Sequence, residues 1–153
     1  MVPESMTSKP TSSTSPSSST STRKALSPDA SKARALECAR AALEKKAENI
    51  KILDLTKLSG FTDYFVICSG MSDRQVQAIA SSVEQHLESQ GAEVINFEGF
   101  SDGRWVLMDF GDVVVHIFQD ALRDYYDLEN LWADAPRVAV PPELYGAAGQ
   151  SLN

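Results

Sequence analysis

Apolar side chains show no period over the first thirty residues of this chain and become periodic after them. Ser31 reads as an N-cap, and Leu36, Ala39 and Leu43 follow at helical spacing, predicting a first helix to about Ala47. Ile50, Ile52 and Asp54 then alternate against Leu53 and Leu55, a short β-branched strand. Gly60 breaks the chain. The run Tyr64 to Cys68 is continuously apolar, as expected of a strand covered on both faces. Ser72 with Gln75 three residues later is a capping-box pattern, and Val76, Ile79, Ala80, Val83 and Leu87 form one helical stripe that Gly91 ends. Val94 to Phe97 reads as a third strand.

Two further runs, Arg104 to Phe110 and Val113 to Phe118, flank Gly111-Asp112, a two-residue hairpin signal. That turn pairs Phe110 with Val113, Met108 with Val115, and Val106 with Ile117, so one hairpin face is wholly apolar and is assigned to the core. The other face sets Trp105 opposite Phe118, Leu107 opposite His116, and Asp109 opposite Val114. A one-residue slip would scramble both faces. A last helix is expected over about Asp120 to Trp132, with Leu122, Tyr125, Leu128 and Trp132 as its apolar positions and Pro136 as its stop. The element order implies an α/β (α+β) fold: a mixed five-stranded sheet with packed helices.

Composition sharpens the boundaries. Ser, Thr and Pro make up nineteen of the first thirty residues, so residues 1–30 are expected to be a disordered tail, residues 31–135 the folded domain, and residues 136–153, with Pro141, Pro142, Gly146 and Gly149, a flexible tail. The formal net charge of −7 argues against a broad nucleic-acid-binding surface and fits a basic protein partner. Cys38 and Cys68 stand far apart with no metal-pair or disulfide spacing, and read as small buried apolar residues in a reducing compartment. No apolar run approaches the roughly 20 residues of a membrane span.

Candidate chemistry is sparse. His86 and His116 have no second ligand at metal spacing. Ser69-Gly70 lies between a strand and a helix but lacks the glycines and lysine of a phosphate loop. Asp109 and Asp112 flank a turn, where turn formation and edge solvation are their ordinary roles. Asp127 and Glu129 fall in a predicted helix, where residues two apart do not face together. No catalytic residue, cofactor or metal is therefore expected. The mixed hairpin face is left. Its two aromatics suit a protein interface, and they equally suit a surface over which the last helix packs.

Two blocks of sequence resemble a known family. Thr62-Asp63-Tyr64-Phe65-Val66-Ile67-Cys68-Ser69-Gly70, with Ser72 and Arg74-Gln75-Val76, is similar to the first block of the iojap-like ribosome silencing factors. Trp105 to Phe118 is similar to the second, and Arg123, Tyr125-Tyr126, Leu128-Glu129 and Leu131-Trp132 complete it. The resemblance covers about Ser31 to Ala135. It implies a nucleotidyltransferase-like fold without the catalytic carboxylates, and a protein that is not an enzyme. It implies binding to the large ribosomal subunit through ribosomal protein fourteen, a basic β-barrel protein on the subunit-joining face. The small subunit is then blocked and translation falls when nutrients are scarce. Organellar members act mainly in large-subunit assembly. The expected partner-binding face is Trp105, Leu107, Asp109, His116 and Phe118, with Arg123 and Tyr126 at its margin. The expected location is the bacterial cytoplasm, or a plastid or mitochondrion if the tail is a transit peptide. Two other readings stay open: a nucleotidyltransferase-like enzyme using Asp63, Asp109 and Asp112, and a dimerisation module using the same face on a second copy.

Overall fold

The computed structural model describes residues 27–144. Most of the expected 1–30 tail and the end of the 136–153 tail lie outside the described residues. The first helix, α1 (Pro28–Leu43), begins before Ser31: Ser27 is the N-cap, its Oγ accepting from Ala30 N–H at 3.1 Å, with proline in the first turn. Ser31 lies inside α1 and is fully buried.

Strand β1 (Glu48–Asp54) follows a turn in which Lys46 has φ 60°, and it carries a bulge between Glu48 and Lys51 where Asn49 has φ 52°. β2 (Tyr64–Gly70) is buried at every position, as its unbroken apolar run predicts. α2 (Asp73–Ser89) buries the expected stripe Val76, Ile79, Ala80, Val83 and Leu87. Each large member contributes roughly 1.5–3 kcal/mol by leaving water. Ser72 caps this helix through Gln75 N–H, while the Gln75 side chain takes the N–H of Met71 rather than of Ser72.

β3 (Asn96–Glu98), β4 (Trp105–Asp109) and β5 (Val113–Gln119) come next, then two short helices, α3 (Asp120–Tyr126) and α4 (Leu128–Leu131), and β6 (Arg137–Val138). The sheet has six strands in the order β3-β4-β5-β2-β1-β6, not five. β2 and β5 are parallel at its centre and every other pairing is antiparallel. The additional strand falls in the stretch expected to be a loose tail: Val138 pairs with Ile52 and Arg137 with Leu53 on the β1 edge, and Leu144 is buried beyond them. Two residues after a proline carry no periodicity, so only the free edge of β1 specifies this strand.

The last helix is also not continuous. Asp127 adopts φ 48°, separating α3 from α4. Of the expected apolar stripe, Leu122, Leu128 and Trp132 pack inward, and Tyr125 points outward with 77% of its surface exposed.

The two sheet faces are covered differently. α1 and α2 close one face over Ile52, Val66, Cys68, Val106, Met108, Val115 and Ile117. Cys38 and Cys68 belong to this core, and burial pushes the Cys68 thiol up to about 12. The opposite face holds Leu53, Leu55, Phe65, Ile67, Val114 and Phe118 under the short helices. Among the described residues no helix is long and apolar enough to cross a membrane.

Candidate functional site

The hairpin register is as the turn predicts: Trp105 pairs with Phe118, Leu107 with His116, and Asp109 with Val114. All six side chains therefore lie on the face covered by the short helices. Trp105 stacks on Phe118 with ring centroids 4.8 Å apart, and Tyr126 of α3 leans on it at 4.7 Å. The Trp105 indole N–H donates to His116 Nδ1 at 3.1 Å.

Burial divides the seven expected face residues. Trp105, Leu107 and Asp109 are partly exposed and Tyr126 is exposed, whereas Phe118, His116 and Arg123 are buried. Trp105, Leu107, Asp109 and Tyr126 form the open part of this face, and the other three lie beneath them. Trp105 is thus covered only in part by the last helix. Asp109 is engaged locally: one carboxylate oxygen accepts the Gly111 N–H at 2.8 Å.

Arg123 is 3% exposed, which is unusual for a guanidinium. Its fork donates to both carboxylate oxygens of Glu129, at 3.2 and 2.7 Å, and its third nitrogen donates to Ser69 Oγ at 2.9 Å. This hydrogen bonding holds the Glu129 carboxyl below its ordinary range, against partial burial. The fork bridges the break at Asp127 and ties both short helices to the end of β2. Glu129, read from sequence as a poorly placed helical carboxylate, is this arginine's partner. A lone arginine in an amphipathic helix gave no signal of burial.

His116 is buried, and burial pushes its pKa from 6.5 down to about 4, so near neutral pH the ring is uncharged. Because an indole nitrogen can only donate, Nδ1 must accept and the ring proton sits on Nε2. Phe65 stands edge-on to this imidazole at 4.6 Å.

The carboxylates of the enzymatic reading separate. Asp63 and Asp112 come together around the buried Ser31 hydroxyl, at 2.9 and 3.2 Å, and Arg34 binds Asp112 at 2.8 Å. Asp109 is occupied at the hairpin turn instead. Among the described residues no three His, Cys, Asp or Glu side chains gather where they could hold a metal ion. His86 is half-buried and bridges the two long helices through Glu37 at 2.7 Å.

The sequence pattern did not single out a second apolar patch. Leu58, Phe61 and Leu131 are exposed; Phe61 lies against Phe65, and Leu58 and Leu131 line one open cleft with Trp132.

By fold and site, this is a mixed-sheet α/β protein that presents a fixed aromatic patch on one face of its sheet. The family model described as "Ribosomal silencing factor during starvation" matches residues 28–151, and the chain belongs to that family. It is 52% identical over 93 residues to the ribosomal silencing factor of Bacillus subtilis (strain 168), covering 61% of this chain and 79% of that protein. It is 36% identical over 107 residues to the chloroplastic protein Iojap of Zea mays, covering 70% of this chain and 46% of that one. A crystal structure of a Bacillus halodurans protein matches with a TM-score of 0.61 and 44% identity, covering 67% of this chain and 93% of the other.

Proposed function

We propose that this protein represses translation by steric obstruction: it docks on the large ribosomal subunit through ribosomal protein fourteen and blocks joining of the small subunit, above all under nutrient limitation. The observation that carries this reading is the Trp105 patch in a chain of the ribosomal silencing family. A partly exposed indole, fixed by His116 and flanked by Tyr126 and Leu107, is the kind of rigid aromatic anchor on which interfaces concentrate their energy. Trp105, Leu107, Asp109 and Tyr126 meet the partner; Phe118, His116 and Arg123 hold them in place. A net charge of −7 favours encounter with a basic ribosomal protein.

No cofactor and no catalysis enter this mechanism. The Asp63 and Asp112 carboxylates are engaged by Ser31 and Arg34, which supports a structural role for them. A bacterial member would act in the cytoplasm. The similarity to chloroplastic Iojap and to a Mus musculus protein named "Mitochondrial assembly of ribosomal large subunit protein 1" supports a second reading, assembly of the large subunit in an organelle.

Sedimentation with purified ribosomal subunits tests the proposal. The protein is expected to co-migrate with the large subunit alone and to deplete joined ribosomes. Co-migration with the small subunit, or undiminished joining at saturating protein, would count against it.

A further inference from the structure

The Trp105–His116 pair carries an inference that rests on the docking face proposed above and deepens it. The geometry points to His116 as a positioning residue: it holds the Trp105 indole in one orientation and takes up the ring's polar atom, so a partner is recognised by ring contact and receives no indole hydrogen bond.

Tryptophan is favoured at protein surfaces partly because its N–H offers a polar handle beside a large apolar body. Here the handle is used inside the protein. The indole N–H donates diagonally across the hairpin to His116 Nδ1 at 3.1 Å, although the residue directly opposite Trp105 is Phe118. The acceptor is a durable one. With 4% of its surface exposed, His116 remains neutral and keeps the Nδ1 lone pair available.

The other imidazole nitrogen shows that packing alone does not account for this residue. Among the described residues, His116 Nε2 is buried without a hydrogen-bond partner. A leucine or phenylalanine would fill a position between Phe65, Phe118 and Trp105 without burying an unpaired N–H. What such a residue lacks is an acceptor for the indole. Without one, the Trp105 N–H must turn to solvent or stay unsatisfied, and the ring loses its fixed orientation. Packing on Phe118 and Tyr126 alone leaves the rotation of the indole less determined.

The partner's chemistry follows. What Trp105 can offer outward is carbon and π-surface, next to the Tyr126 ring. Suitable groups on the partner are apolar side chains and, given the acidic charge of this chain, a guanidinium or ammonium laid against the indole. A partner carbonyl or carboxylate seeking the indole N–H would find it engaged.

The test uses the full chain and two variants. His116→Leu removes the acceptor, and His116→Asn keeps a carbonyl oxygen near the Nδ1 position. Solvent exchange of the Trp105 indole N–H is followed by NMR, its resonance assigned from the spectrum of Trp132→Phe. Binding is measured by sedimentation with purified large ribosomal subunits. His116→Leu is expected to speed indole exchange by about tenfold or more and to weaken binding about tenfold, while His116→Asn keeps both within about threefold of the parent. Unchanged indole exchange in a folded His116→Leu protein overturns the proposal. So does a folded His116→Asn variant as impaired as His116→Leu, because packing would then explain both. If His116→Leu does not fold, the unaltered protein decides through the nitrogen–nitrogen coupling across the indole–imidazole hydrogen bond: its presence supports the lock and its absence overturns it. Failure of the parent to sediment with large subunits would instead refute the docking reading and the partner chemistry drawn from it, while exchange and coupling still judge the lock.

Discussion

Replacing Trp105 with alanine separates the packing role the fold gives this side chain from its proposed role as a docking anchor. Full deletion of a buried tryptophan costs about 3–5 kcal/mol. Trp105 is only partly buried, so its contacts with Phe118 and Tyr126 represent roughly 2 kcal/mol of that. Orphaning His116 Nδ1 adds about 1 kcal/mol. A total near 3 kcal/mol lowers the melting temperature by roughly 10 °C for a domain of this size. Binding is expected to fall further than unfolding explains. Truncating an interface anchor costs on the order of 2–4 kcal/mol, a loss of affinity of at least about 30-fold. Even a domain of about 5 kcal/mol stability retains about 2 kcal/mol after the change and stays roughly 97% folded. A urea melt paired with a pull-down on purified large subunits reads both quantities. An unchanged melt would mean that Trp105 does not pack as described, and an unimpaired pull-down would mean that the docking face lies elsewhere.

Three further outcomes are expected. Below pH 6.5 the unfolded chain binds a proton at His116 that the folded chain refuses until about pH 4, so stability rises with pH across that window. This contribution, at most about 3 kcal/mol, is complete above pH 6.5 and lost toward pH 4, and His116→Asn should flatten that part of a stability–pH profile. At the Arg123–Glu129 fork, Glu129→Leu strands a guanidinium that is 3% exposed and should cost about 3–5 kcal/mol, whereas Arg123→Met frees a more exposed carboxylate to rehydrate and should cost about 2 kcal/mol or less; equal costs in urea melts would contradict the asymmetry. Incubation with labelled ribonucleotides and magnesium should give no transfer, and transfer abolished by Asp109→Asn or Asp112→Asn would restore the enzymatic reading.

How much of this could be read from the sequence differed by element. The hairpin was legible to the residue, because Gly111-Asp112 sets the turn and period-two alternation leaves one register that buries Val106, Met108 and Phe110 together. β2 and the α2 stripe were legible for the same reason: burial imposes the pattern. The start of α1 was within reach, since Ser27-Pro28-Asp29 is itself a helix-start signal, although Ser31 offers a competing cap one turn later. The break at Asp127 was not legible. A positive φ at a non-glycine residue depends on its tertiary surroundings, here the fork that joins Arg123 to Glu129 across it. β6 was hidden because two residues cannot display a period. Which face of the sheet lay open was hidden too, because it depends on how far short helices reach, and residue spacing does not encode that. Of the seven expected face residues, Trp105, Leu107, Asp109 and Tyr126 reach the surface while Phe118, His116 and Arg123 lie beneath it, a division that residue spacing does not encode.

The break at Asp127 has a consequence for recognition. One uninterrupted helix through Trp132 would place Tyr125 in the same buried stripe as Leu122, Leu128 and Trp132. With the break, α3 and α4 pack separately, and α3 sits with Tyr126 against Trp105 and Tyr125 exposed, the two tyrosine rings 5.1 Å apart. A surface made from such short helices would ordinarily be mobile, since isolated helices of this length have little stability of their own. Here α3 and α4 are tied to the sheet by the buried arginine fork, and the indole is tied to His116. Ordering flexible side chains costs about 0.5–1.5 kcal/mol each on binding, and groups already held avoid most of that cost. The exposed acidic residues Asp120, Asp124 and Asp127 on and beside these helices act at longer range and favour approach of a basic surface. In the proposed docking, long-range charge would bring the partner close and the preset aromatic rings would decide how well it fits. On that division of labour, raising the salt should slow association, while loss of an aromatic should chiefly speed dissociation.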